Sequence, residues 1–387
     1  SVIAFRIPDS DLGATDIDSG LPDGDTAADV FVIQPTAPLP AFASDRIVIN
    51  GASQQNLTGD TNPLGPEIVI NGSAVSGAAN GLQLESDANR VHELTIQSFS
   101  GNGILVTGDA NTITGNYIGT DAVGTEISHN REGIYVDNAV GTLIGGTKDT
   151  DRNVIAGNAV NIRLIGGGTT GALIQGNYIG VDAAGTAAVT NGWRTGTNND
   201  GILIQSGAYG NQIGGTAPGA GNVIAGHWEQ GIWVTSGAGG YTILGNKIGS
   251  NAEGDASIYI LRGILVVDSP DHTIAGNLIS GNYFGIEARG PDSSGLVIQG
   301  NRIGTDDSAT RGLASQHSGI RLDGVPGARI GGTADGQRNV ISGNDSRGIW
   351  LLPSSNGTVI QNNFIGTDVS GTVAIGTGFG IQVVDSS

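Results

Sequence analysis

Two neighbouring frames of the chain, "GIEAR" (285–289) and "GIRLD" (319–323), bring together Glu287, Arg289, Arg321 and Asp323 in a background of small polar residues. Two carboxylates with arginines between them are equipment for acid–base work on a glycosidic bond. One carboxylic acid protonates the leaving oxygen, the other carboxylate activates water, and the arginines tune either acid or hold a uronate. A second cluster lies in "GHWEQGIWV" (226–234), which carries His227, Trp228 and Glu229 ahead of Trp233. Its sister "GNDSRGIWL" (343–351) has Asn344 in place of His227 and Trp350 in place of Trp233. Here His227 or Glu229 would serve as base, with Asp200, the end of a long insertion, opposite. The candidate catalytic groups are therefore Glu287, Asp323, Glu229, Asp200 and Arg321. Trp233, Trp350, Tyr135, His227, Trp228, Arg289 and Arg163 are the candidate substrate-binding groups.

A plainer reading stands beside each. The Glu287–Arg321 and Arg289–Asp323 combinations are equally those of cross-strand ion pairs on a solvated sheet. His227 can fill a polar turn while Trp228 covers an edge. The Asp of "IGTD" (Asp121, Asp182, Asp306, Asp368) recurs so regularly that it reads as the closure of an Asx-turn. No H-x-H or H-E-x-x-H spacing suggests zinc. No metal ligand set is expected, and Ca²⁺ is left open because it needs several oxygens converging at once.

What must position these groups is a repeat. "GNYIGTD" (115–121) returns at 176, 245, 300 and 362 with small changes, "IGGT" ends at 147, 216 and 333, and "RNVIAGN" (152–158) returns at 221 and 338. Between them G-I-x-aliphatic recurs from Gly81 onward. Each phrase is a short strand of alternating apolar residues closed by Gly or Asn, with no helical period. Gly and Asn supply the left-handed conformations that sharp corners need.

The expected fold is all-β: a right-handed parallel β-helix, or solenoid, of about a dozen coils stacked roughly 4.8 Å apart. Residues 1–80 would form irregular opening coils and 81–387 regular coils with loop insertions, all in one domain. The Ile and aliphatic of each frame fill the bore, so x points to solvent. Glu287 and Asp323 would then stand about 8 Å apart, within the roughly 6.5–9.5 Å of an inverting glycosidase. The insertions 183–200 and 307–318 would rise beside this stripe as groove walls.

The totals narrow the partners. A net charge of −19, from 36 acidic and 17 basic residues, repels a phosphate backbone, so nucleic acid is not an expected partner. The lysines are Lys148 and Lys247 alone, and without cysteine there is no disulfide or thiolate chemistry. No apolar run is long enough to span a membrane. The sequence shows no signal peptide and no initiating Met, and reads as a mature or trimmed segment whose capping elements lie outside it or on a partner.

The pattern "GNxIGTDxxGT … GIxV … IGGTxxxxRNVIxGN" resembles the right-handed parallel β-helix repeats of the pectate lyase-like superfamily, as in large secreted bacterial proteins, over roughly residues 30–387. The resemblance implies that fold and an extracellular or cell-surface setting. It does not select an activity, because the superfamily holds polysaccharide lyases, glycoside hydrolases, epimerases, tailspikes and adhesins. The leading expectation is a carbohydrate-active protein that binds an extended polysaccharide or oligosaccharide along the G-I-x stripe. It would cleave glycosidic bonds as a glycoside hydrolase, with polysaccharide lyase action as the close variant. A non-catalytic segment of a surface adhesin or scaffold is the alternative. Neither the glycan nor the oligomeric state can be read from the sequence.

Overall fold

The computed structural model describes residues 1–8, 11, 13–15, 29–190, 199–313 and 316–384. Its strands form three stacks, of 12, 13 and 11 strands, in which each strand pairs with the equivalent strand one turn away. We call these sheets A, B and C in that order. One turn runs through Thr112–Thr114 in A, Tyr117–Ile118 in B and Glu132–Asp137 in C, then returns to A at Leu143–Gly145. Pairing is parallel throughout, apart from the small Ala14–Thr15 strand against Val30–Ile33 and isolated bridges in loops. This is a parallel β-helix of about 12 coils. Among the described residues the one α-helix is the four-residue turn Gln55–Thr58, and no helix is long and apolar enough to cross a membrane.

The Ile of each G-I-x frame enters the bore. Ile104, Ile134, Ile162, Ile202, Ile232, Ile264, Ile286, Ile320 and Ile349 pair coil to coil in sheet C, and every one is closed to solvent. Stacking identical branched side chains in register gives each the same neighbours above and below, which suits a dry and repetitive core.

The A-to-B corner is set by an Asn that follows Gly, Arg or Asn. Asn116, Asn153, Asn177, Asn222, Asn246, Asn277, Asn301, Asn339 and Asn363 form one ladder, each Nδ2 donating to the next Oδ1 at 2.8–3.1 Å. Their amides are satisfied inside the wall, where water does not reach. At the exit of sheet B the chain turns on a glycine: Gly180 has φ +79°, and a Cβ there would stand 2.2 Å from the Ala225 carbonyl oxygen.

The Asp of "IGTD" closes a hairpin, as its regular recurrence suggests. Asp121 Oδ1 accepts from the Thr125 and Glu126 amides at 2.8 and 3.0 Å, and Asp182, Asp306 and Asp368 repeat the arrangement. These hairpins stack on one another, the Ala183 amide donating to Gly124 and the Ala252 amide to Gly185. The first parts of the two insertions expected as groove walls are members of this series. Within those insertions, residues 191–198 and 314–315 lie outside the described residues.

Candidate active site on sheet C

The x residues of the frames do form one column on the outer face of sheet C. Coil by coil, Tyr135 pairs with Arg163, Arg163 with Leu203, Leu203 with Trp233, Trp233 with Leu265, Leu265 with Glu287, Glu287 with Arg321, and Arg321 with Trp350. The column is less open than alternation suggests: Leu203 and Glu287 are fully buried and Leu265 nearly so, because long neighbouring side chains fold over them.

Glu287 shows how. Arg262 Nε donates to its Oε2 at 2.6 Å, Arg289 NH2 donates to Oε1 at 2.7 Å, and Arg321 NH1 also donates to Oε1. Burial pushes the carboxyl up, but the hydrogen bonds and charges of Arg289 and Arg262 outweigh it and hold the group below the usual carboxylate range. Asp323 joins through Arg321, whose NH2 donates to Oδ2 at 2.9 Å. The partners differ from the simple cross-strand pairs: Arg289 turns along its own strand to Glu287 and leaves Asp323 to Arg321. Arg347 lies over the Trp350 ring at 4.1 Å, with Arg321 at 5.2 Å.

Three coils away is a carboxyl of opposite character. Asp200 opens the strand Asp200–Gln205 and is fully buried. Burial, reinforced by the charge of Glu229, raises its pKa to about 7; the Gln230 amide and the charges of Arg163 and Arg262 oppose this only in part. The Gln230 amide N–H donates to Oδ1 at 3.3 Å. With its side-chain nitrogen turned towards Asp200, Gln230 also donates to that oxygen and accepts from Arg262 NH1 at 3.3 Å. Oδ2 of Asp200 has no hydrogen-bond partner. Glu229 itself is exposed. Asp200, Gln230, Arg262, Glu287, Arg321 and Asp323 thus form one polar chain of contacts across the sheet.

His227 is turned the other way. It is fully buried at the corner, its Nε2 accepting from Asn161 Nδ2 at 3.0 Å, and Asn161 accepts in turn from Asn158. Burial alone drives its pKa down to about 3, so the imidazole is neutral and closed to a substrate. Trp228 is 41% exposed. Further up the column Arg163 pairs with Glu132 at 2.8 Å and lies 5.9 Å over the Tyr135 ring. Burial raises the Glu132 carboxyl against the pull of that arginine. Trp233 and Trp350 are half-buried, and their indole nitrogens are buried without a hydrogen-bond partner.

Several groups here were not expected from the sequence. Arg262 and Gln230 link the two carboxyl clusters, while Tyr259 and Tyr283, like Trp228, are exposed rings. His317 stacks on Tyr283 at 4.6 Å. The signal available was strand length. Ile260–Val267 and Asn282–Arg289 have eight residues each, against five or six in most other strands of the sheet, and the extra residues are on the side that carries the tyrosines.

Among the described residues no group of three or more His, Cys, Asp or Glu could hold a metal ion. A family model for the right-handed β-helix region matches residues 256–387. The chain is thus a right-handed parallel β-helix. No curated protein sequence matches it. Among solved structures it is similar to the A-module of mannuronan C-5 epimerase AlgE4 from Azotobacter vinelandii, with 12% identity, 93% of this chain and 79% of that one covered, and a TM-score of 0.49. It is also similar to an alginate lyase from a Paenibacillus species, with 13% identity, coverage of 86% and 98%, and a TM-score of 0.43. The likeness is one of fold.

Proposed function

We propose that this is an extracellular carbohydrate-active protein whose sheet C face binds an extended polysaccharide and hydrolyses its glycosidic bonds. Asp200 is the general acid that protonates the leaving oxygen, and the exposed Glu229 is the base that takes the proton of the attacking water. The observation that carries this reading is the separation of two adjacent carboxyls. One is held protonated near neutrality by burial and by its neighbour's charge, and the other is exposed. Asp200 is closed to solvent in this structure, so the reading requires a bound chain to displace what covers Oδ2.

Glu287 has a different task. A carboxylate held by three arginines does not store a proton at neutral pH, so in this reading Glu287 fixes the guanidinium groups while Asp323 supports Arg321. At this end of the face three arginines, at 262, 289 and 321, converge on Glu287 and Asp323, and Arg347 lies over Trp350, in an otherwise acidic chain. That excess of positive charge suits a glycan bearing carboxylates. Trp228, Tyr259 and Tyr283 offer apolar ring surface to sugar C–H groups.

The arginine excess also favours a second reading, elimination on a uronate by a lyase. Incubation with neutral and uronate polysaccharides, with and without Ca²⁺, separates the two. New reducing ends without unsaturated products, lowered at least about 100-fold by Asp200→Asn and by Glu229→Gln, are expected. Ultraviolet absorbance from unsaturated ends would move the chemistry to elimination. Neither binding nor cleavage across the panel would leave the non-catalytic scaffold as the better description.

A further inference from the structure

Sheet B carries a cleft, on a face that the reading above does not use. Its origin is a break in the repeat. Long A-to-B loops precede Val154–Ile155, Val223–Ile224 and Val340–Ile341, while short corners precede Tyr117–Ile118, Tyr178–Ile179 and Phe364–Ile365. Two successive coils, those of Thr95–Gln97 and Tyr117–Ile118, have short corners, loops and corners then alternate, and three successive coils, those of Lys247–Ile248, Leu278–Ile279 and Arg302–Ile303, again all have short corners. The missing loops leave a gap about 14 Å long between the loop at 215–221 and the loop at 332–338. A cleft of about 670 Å³ opens there and extends beneath the first loop, lined by Arg152, Tyr178, Lys247 and Ala275, with Gly219 and Gly336 from the two loops. That volume is in the range of small-ligand sites.

The two cations that line the cleft, Arg152 and Lys247, are each paired with an acid that lies outside its lining. Arg152 NH2 lies 2.5 Å from Asp149 Oδ1, and its guanidinium carbon sits 4.3 Å over the Tyr178 ring. Lys247 Nζ donates to the Ala252 carbonyl at 2.5 Å and lies 3.5 Å from Asp307, which Arg302 also holds at 2.7 Å. An ammonium has three protons, and these two partners leave one for a ligand. Arg152 Nε is buried without a hydrogen-bond partner. Asp149 and Asp307, outside the lining, offset the charge that would draw an anion in, and a free cation would meet Arg152 and Lys247. Hydroxyl groups accept hydrogen bonds without carrying a charge, so they can use the free donors of Arg152 and Lys247, whose charges are already paired.

We propose that this cleft binds a short neutral oligosaccharide, separately from the anionic glycan of sheet C. Titration calorimetry with gluco-, manno- and xylo-oligosaccharides of three to five units tests it on the whole chain. Ala275→Trp, which fills the cleft from an outward position of sheet A, is expected to weaken binding at least tenfold, and Lys247→Gln about threefold or more. Glu229→Gln should leave it unchanged. Circular dichroism and the melting temperature check that Ala275→Trp folds, and Lys247→Gln carries the test if it does not. The proposal is overturned if no neutral oligosaccharide binds at millimolar concentration, or if folded Ala275→Trp or Lys247→Gln binds like the parent. Loss of the same binding in Glu229→Gln would place the ligand on sheet C and also overturn it. Failure of the cleavage assay would leave this result untouched.

Discussion

Glu287 and Asp200 are both fully buried acids on one sheet, yet their environments drive them in opposite directions. Glu287 accepts from three guanidinium groups; Asp200 has one backbone donor, an amide and a nearby Glu229. Replacing Glu287 by Gln removes the charge that the arginines were gathered around. A loss of about 3 kcal/mol in chemical denaturation is expected, since breaking a buried ion cluster leaves its other members uncompensated. Asp200 acts on stability through pH. Its folded pKa is raised to about 7, so its contribution is fully present below the ordinary carboxylate range and is lost as pH rises through 7. Much of this chemistry was not legible in the sequence. Strand alternation would put the residue three before x inside the bore. The frame glycine between them drops out of the paired ladder, however, as between Arg262 and Ile264. Parity therefore shifts, and Arg262, Gln230 and Asp200 join the polar face. His227 was legible as an unusual residue, but its direction depends on the corner, where Asn161 draws it inward.

At the scale of the elements, corners are as informative as strands. The strands were legible because the bore imposes a strict period, and the eleven strands of sheet C carry the frames that recur from Gly81. The corner Asn forms a ladder for the same reason: a fixed place in the coil puts identical amides in register. Asn222→Ala would strip the acceptor from the Asn177 amide and side chain and the donor from the Ile174 carbonyl. With these groups buried, a loss of about 3 kcal/mol is expected, read as a lower denaturation midpoint with an unchanged slope. The function of the loops was less legible. The two insertions that looked special begin as ordinary members of the hairpin series. The break that matters is an omission, the short A-to-B corners of three successive coils.

For the whole molecule, stability is a sum over stacked coils, each supported mainly by its neighbours. The interior isoleucines are closed to solvent as far as Ile349, whereas Ile381 is 47% and Phe379 60% exposed. Hydrogen exchange should therefore be slowest in the coils between Ile134 and Ile303 and fastest in the strands Val359–Gln361 and Phe379–Val383. Uniform protection along the chain would contradict this picture. The net charge of −19 acts at the same scale. It sets a repulsive background, against which the arginine patch of sheet C is the local exception that an anionic glycan could use.

The central claim is that one carboxyl on sheet C holds a proton near neutrality beside a second, exposed one. It is tested most directly by following the carboxyl carbon resonances of the chain through a pH titration, with Asp200→Asn to assign the signal. The account predicts a midpoint near 7 for Asp200, moving down when Glu229→Gln removes the neighbouring charge. A midpoint in the ordinary aspartate range, unaffected by Glu229→Gln, would contradict it and remove the acid on which the proposed hydrolysis depends.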